Sequence, residues 1–263
     1  MNTNLANKVY LVAASSKGLG FGIAEALAAD GARVSLCSRT RSEIEQAATD
    51  LKTRYGVDAR GYVCDASQSD SISDWVSQSI SDFGTIDGLV VNAGGPKPGK
   101  FDSFSDEDWD KAYNLTLMSA VRMIRAALPT MKAKGAGSIV TVTSSSIKEP
   151  IGILLLSNVF RSGVVSLVKS LSVDLAPHGI RINNLVPGSI DTDRIRSNDI
   201  FAAERMGISP EERKAYREAE IPLGRYGTPE EFGKVGAFLL SDAASYISGS
   251  TIMVDGGKSK TVW

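Results

Sequence analysis

The chain is poor in the residues that metal and disulfide chemistry need. Its 263 residues include two cysteines and one histidine. His178 lies in a Pro-His-Gly turn, and with Cys37 and Cys64 well separated, a zinc or iron site is not expected. Both cysteines follow apolar, strand-like runs, so buried free thiols are expected over a disulfide or redox pair. No charge of one sign dominates. Lys plus Arg total 29 against 30 for Asp plus Glu, which gives no field favouring nucleic acid or an anionic membrane. No apolar run approaches the roughly 18 residues of a membrane span. Met-Asn-Thr-Asn-Leu at the start lacks a basic region followed by an apolar one, so no signal peptide is read and a cytoplasmic location is expected. Repeats, low-complexity tracts and Pro/Gly-rich linkers are also missing, and with nothing to divide the chain, residues 1–263 are expected to form a single domain.

What is present is regular alternation. Short β-branched runs (Val9–Ala13, Arg33–Cys37, Gly61–Val63, Ile86–Val91, Ser138–Val142, Arg181–Val186 and Thr251–Val254) are separated by helical patterns. The helical patterns are Gly20–Ala29, Arg41–Tyr55, Ser71–Asp82, Asp106–Met131, Ser157–Leu175 and Pro229–Leu240. Strands alternating with helices predict an α/β fold: a doubly wound, Rossmann-like parallel β-sheet with helices on both faces. A charged helical stretch at about 193–221 interrupts the alternation and reads as a lid-like insertion, or else as surface decoration.

The first strand runs into Ala13-Ala14-Ser15-Ser16-Lys17-Gly18-Leu19-Gly20 and then a helix. Glycines at such a turn let the backbone approach a pyrophosphate, which binds the N–H groups and positive dipole of the helix start. Asp65 follows the third strand, Asn92-Ala93-Gly94-Gly95 the fourth, and Asn114 lies in the fourth helical pattern. Pro187-Gly188-Ser189-Ile190-Asp191-Thr192 follows the sixth strand, and Tyr246–Gly257 ends in Val-Asp-Gly-Gly. With these motifs in order, the chain resembles the short-chain dehydrogenase/reductase family, 3-oxoacyl-acyl-carrier-protein reductases included, from end to end. The resemblance implies a cofactor site using Ser15, Lys17, Gly18, Leu19, Gly20, Asp65, Asn92, Ala93, Gly94, Pro187, Gly188, Ile190 and Thr192. Asn114 would hold a proton-relay water. The turn departs from the family pattern at Ala13 and Ala14, which alanine can fill if no positive φ is required there. A homotetramer is also implied, with Asp106–Met131 and Ser157–Leu175 packing on symmetry mates. The small, apolar face of the latter (Gly163, Val164, Leu167, Leu171) permits this, or covers its own sheet.

Cofactor choice follows from charge. The second strand ends Leu36-Cys37-Ser38-Arg39, without the acid that would grip a free ribose 2′-hydroxyl. Arg39 offers a planar fork for a phosphate, and Lys17 a second cation, so NADP(H) is expected unless both are merely solvated.

The chemistry departs from the family. There a tyrosine protonates the substrate oxygen, a lysine four residues later tunes it and binds the nicotinamide ribose, and a serine holds the oxygen. Ser144 is the best match for the serine. Ser157 falls at the tyrosine position and Arg161 at the lysine position, and no tyrosine of this chain has a lysine four residues on. An aliphatic hydroxyl is a poor acid near neutral pH, and a guanidinium is a poor relay. Arg161 can still hold ribose hydroxyls. Lys148, in Ile147-Lys148-Glu149-Pro150, is a replacement acid or a loop lysine paired with Glu149 or solvent. The divergent subset of the family that shares Lys-Glu-Pro and lacks the tyrosine includes reductases of conjugated ketones. Ile151–Leu156 is then a wall for the apolar portion of a small-molecule substrate, or simply packing. The expected function is NADPH-dependent reduction of a carbonyl or conjugated carbonyl by hydride transfer at an atypical Ser144/Ser157/Arg161 site. The alternatives are a catalytically inactive NADP-binding sensor or assembly protein, and non-redox chemistry on an acidic substrate near Arg161 and Lys148.

Overall fold

In a computed structural model that describes residues 3–262, seven strands form one parallel sheet in the order β3-β2-β1-β4-β5-β6-β7. The strands are β1 (Val9–Val12), β2 (Arg33–Ser38), β3 (Ala59–Val63), β4 (Gly88–Val91), β5 (Gly137–Val142), β6 (Ile180–Pro187) and β7 (Thr251–Val254). Parallel neighbours need crossovers, and the intervening helices supply them: α1 (Gly18–Ala29), α2 (Arg41–Tyr55), α3 (Ser69–Phe83), α4 (Asp106–Ala112), α5 (Ser119–Lys134) and α6 (Leu155–Leu175). The late elements are α7 (Asp193–Met206), α8 (Pro210–Ala219) and α9 (Pro229–Leu240).

Helices on both faces explain why β1 and β4 are buried at every position. One core lies under α1, α2 and α9, with Val12, Ile23, Leu27, Leu36 and Phe232 fully buried. The other lies under α3, α5 and α6, around Leu11, Trp75, Leu89, Met123 and Ile182. Cys37 and Cys64 are buried free thiols that share a hydrogen bond. Burial pushes the Cys37 thiol up, while the bond to Cys37 holds Cys64 down.

Three details refine the sequence expectation. The long helix predicted over Asp106–Met131 is broken by one π-helical turn, Tyr113–Met118, and resumes as α5. The insertion resolves into two helices, α7 and α8, and they are pinned. Arg217 Nη1 donates to Asp199 Oδ1 at 2.9 Å, and the Tyr226 hydroxyl donates to Asp199 Oδ2 at 2.7 Å. Of the two readings of the small, apolar α6 face, the one in which it covers its own sheet agrees with the contacts within the chain. Val164 is buried, Leu167 and Leu171 lie against the same core, and Gly163 faces Leu117. Val159 and Val173 are the large apolar side chains that α6 exposes.

Strand order reverses between β1 and β4. The carboxyl ends of β1, β4, β5 and β6 therefore share one edge, with a crevice at the switch point.

Candidate active site and dinucleotide cleft

The turn after β1 is built around Ala14. This residue takes φ +47°, so the position does require the left-handed region, contrary to the expectation that alanine would fit without it. Asn92 Nδ2, at the end of β4, donates to Ala14 O at 3.2 Å and clamps the turn. A Cβ at Gly20 would collide with Ala14 O, which is why this helix start tolerates no side chain there. Gly18, at φ +64°, completes the bend. The Ser15 hydroxyl is buried and donates to Val12 O at 2.7 Å, so its side chain stabilises the turn instead of facing the cleft. Leu19 packs into the core.

The first turn of α1 has no side-chain cap and no acidic residue. Its N–H groups and dipole are left for an anion. Gly94 faces open space, and Thr192 Cγ2 lies 3.6 Å from where a Gly18 Cβ would be. A dinucleotide fits this crevice: glycine backbone on one wall, Thr192 on another, and an uncapped helix start between them.

The other expected cofactor residues fall on the same edge. Arg39 is exposed at the end of β2 and has no ion pair among the described residues. Lys17 reaches Glu43 at 3.5 Å and Asp193 at 3.7 Å, so its charge is already shared. Asp65 Oδ1 accepts from the Ser67 N–H and hydroxyl at 2.9 and 2.8 Å. Ala93 sits beside Asn92 on the loop after β4. Pro187 ends β6, Gly188 N–H donates to Val254 O at 2.9 Å, and Ile190 is buried, bridged to Gly227.

The chemical end is assembled from β5, α6 and the π-helical turn. Ser144 follows β5 and caps a short 3₁₀ turn, Ser145–Ile147, accepting from Ser146 N–H at 3.2 Å. Its own proton stays free to donate. Ser157 is buried near the start of α6 and its hydroxyl makes no hydrogen bond within the described protein. One turn later Arg161 Nη1 donates to Val142 O at 2.9 Å, at the last residue of β5. Burial, and then the charge of Arg194, push the Arg161 guanidinium down to about 10. It remains a cation at neutral pH.

Asn114 lies in the π-helical turn, a local widening frequent at functional sites. Its side chain is committed: Nδ2 donates to Asp110 O at 2.9 Å, and Oδ1 accepts from Arg122 Nη2 at 3.0 Å. Arg122 also donates to Ser67 O at 3.2 Å, tying this turn to the Asp65 loop. Lys148 is half-buried and does not pair with Glu149. The Glu149 carboxylate instead accepts from the Lys260 N–H at 3.0 Å. Ile151 and Ile153 are exposed beside it, while Leu156 turns into the core.

Sequence reasoning missed Arg194. It stands in the first turn of α7 and lays its guanidinium on Gly95, where an added Cβ would collide with Nη2. Its only sequence signal was a cation two residues past Thr192. A groove of about 520 Å³ opens at the opposite, amino edge of the sheet, lined by Tyr10, Asp87, Arg181 and Asp242 among others, and takes no part in this site. Among the described residues no His/Cys/Asp/Glu cluster could hold a metal, and no helix is long and apolar enough to cross a membrane.

A doubly wound sheet with a glycine turn and an uncapped helix at its switch point defines a dinucleotide-binding fold. A family model described as enoyl-(acyl carrier protein) reductase matches residues 13–259. The human dehydrogenase/reductase SDR family member 4 is 35% identical over 254 residues, covering 96% of this chain and 88% of that protein. A 3-oxoacyl-[acyl-carrier-protein] reductase from Chlamydia muridarum is 33% identical over 259 residues, covering 98% and 99%. The L-sorbose reductase of Gluconobacter frateurii, solved with NADPH and L-sorbose, superposes with a TM-score of 0.95 at 30% identity, covering 100% of both chains. The chain belongs to the short-chain dehydrogenase/reductase family and is an NAD(P)-dependent oxidoreductase of that type.

Proposed function

We propose that the protein reduces a conjugated carbonyl compound, or a simple carbonyl, with NADPH, using Ser144, Ser157 and Arg161. The observation that supports this reading is the hydrogen bond from Arg161 to Val142 O, which holds a guanidinium at the end of β5, two residues before Ser144.

NADPH, when bound, supplies the hydride. The uncapped start of α1 would hold its pyrophosphate, Arg39 its 2′-phosphate, Arg161 the nicotinamide ribose, and the Gly188–Thr192 loop its amide. Ser144 donates to the substrate oxygen, and Ser157 adds a second hydroxyl. Neither is a useful acid near neutral pH. Conjugated substrates lessen that deficit: with hydride added at the β-carbon, the electron pair moves to oxygen as an enolate. Ser144 and the Arg161 charge stabilise that oxyanion, a contribution of about 3–4 kcal/mol per well-placed donor. Water then delivers the proton at carbon. Orientation alone supplies up to roughly 7–11 kcal/mol, so losing a general acid worth about 10²–10⁴ in rate does not abolish turnover.

Ile151 and Ile153 would meet the apolar portion of the substrate, and α7–α8 would close over it as a lid. The exposed Val159 and Val173 of α6, with Tyr113, would pack on symmetry mates in a homotetramer.

The test is substrate-dependent loss of NADPH absorbance across matched enones and saturated ketones. Turnover of enones well above their saturated counterparts is expected. NADPH binding without turnover of any panel member would favour a nucleotide-binding sensor or assembly role. Calorimetric silence toward both NADPH and NADH would overturn the cofactor assignment itself.

A further inference from the structure

The first turn of α7 places a cation where no internal anion answers it. Arg196, on the same helix, is held by Asp191 at 2.7 Å and Asp193 at 3.0 Å. Arg217 is held by Asp199 at 2.9 Å, and Arg225 by Glu231 at 2.6 Å. Asp193, the nearest acid in sequence, turns away to Arg196 and Lys17. Arg194 alone among these arginines has neither an ion pair nor a hydrogen bond among the described residues. Its guanidinium crosses the crevice to the backbone of Gly95, on the loop after β4.

Arg161 approaches the same space from α6. Its single hydrogen bond goes to the neutral Val142 carbonyl, so it too lacks a counter-ion. Arg161 is half-buried at the end of β5 and Arg194 is exposed over the loop after β4, the neighbouring strand, and burial, then the Arg194 charge, lowers the Arg161 pKa. Two guanidiniums without counter-ions at one edge of the sheet leave positive charge there for an anion to answer. Planar guanidinium forks suit oxygen anions held by two parallel bonds.

We propose that Arg194 and Arg161 form a seat for an oxyanion in the cleft, filled by the pyrophosphate of the dinucleotide or by a carboxylate of the substrate. The inference rests on the reading above that this cleft binds NADPH and its substrate. Both sources are within reach. Thr192, which caps the helix carrying Arg194, abuts Gly18 of the phosphate turn, while Arg161 stands beside Ser144. Gly95 is part of the device, since any side chain there would displace the Arg194 guanidinium.

The test compares wild type with Arg194→Met and Arg194→Lys, after thermal melts show that both variants fold. Arg194 is exposed and its side chain makes no hydrogen bond or ion pair within the described protein, so the melts should agree. Calorimetry is run with NADPH, with inorganic pyrophosphate, and, on the NADP⁺-loaded protein, with an unsaturated 2-oxo acid and its methyl ester. A fall of about tenfold or more in NADPH and pyrophosphate affinity in the methionine variant, partly rescued by lysine, assigns the seat to the cofactor. Unchanged NADPH affinity, with loss of a tenfold preference for acid over ester, assigns it to the substrate. Affinities for all four ligands within twofold of wild type overturn the proposal. Because every arm reads binding, a protein that bound these ligands but reduced nothing would sink the proposed reaction and leave the seat intact.

Discussion

Asn92 Nδ2 donates to the carbonyl of Ala14, 78 positions earlier in the chain, while Ala14 itself sits at φ +47°. The clamp holds an alanine in a region where a Cβ costs about 1–2 kcal/mol. Glycine would relieve that cost but lose about 0.5–1 kcal/mol through its freer unfolded chain. Ala14→Gly should therefore stabilise the protein by about 0.5–1 kcal/mol, a rise of about 1–4 °C in the melting midpoint. A lower midpoint in a thermal melt would show that the turn carries no strain.

Arg39 is the proposed determinant of the nucleotide. It is exposed at the end of β2 with no ion pair within the described protein, and the strand carries no acid to bind a free 2′-hydroxyl. Hydrogen bonds to a charged group contribute about 1.5–3 kcal/mol, so Arg39→Glu should weaken NADPH by about 10–150-fold and leave NADH unchanged or tighter. Equal losses for both nucleotides would place Arg39 outside the 2′-phosphate site.

The proposed preference for conjugated substrates turns on Ser157 and Arg161. The double variant Ser157→Tyr/Arg161→Lys restores a tunable acid and its cation one helical turn apart. Reduction of saturated ketones should rise by about 10²–10⁴, with a smaller change for enones. If the double variant folds, binds NADPH and gains nothing on ketones, the missing acid is not what limits the wild type.

Acid stability should depend on Glu231. Arg225 and the Thr228 N–H hold its carboxylate down to about 2. The ordinary value is about 4.3, so this contribution is fully present above about pH 4.3 and is lost as pH falls toward about 2. The pair is half-exposed, and solvent screening keeps its contribution below about 1 kcal/mol. Glu231→Gln should unfold at lower urea than wild type at about pH 6, and the gap should narrow at about pH 3. A gap independent of pH would assign the effect to helix capping alone.

Much of the fold was legible because its signals are local. The bounds of α2, α9 and β7 agree with the sequence patterns Arg41–Tyr55, Pro229–Leu240 and Thr251–Val254. Periodicity and turn residues suffice there. The break at Tyr113–Met118 was not legible, since a π-helical turn leaves the helical pattern intact. Nor was the fate of Glu149, whose partner Lys260 lies 111 residues away.

The sequence by itself determined the alternation of strand and helix, the glycine turn at the first crossover, and the serine and arginine that stand in for a tyrosine and a lysine. Those are matters of residue identity and spacing. Only the tertiary structure decided that Ala14 is strained, that the Ser15 hydroxyl turns inward, and that Arg194 lies on Gly95 while Arg161 reaches Val142 O. Such contacts depend on the order of strands in the sheet and the path of α7 over its edge, and no local pattern encodes which distant backbone a side chain will meet.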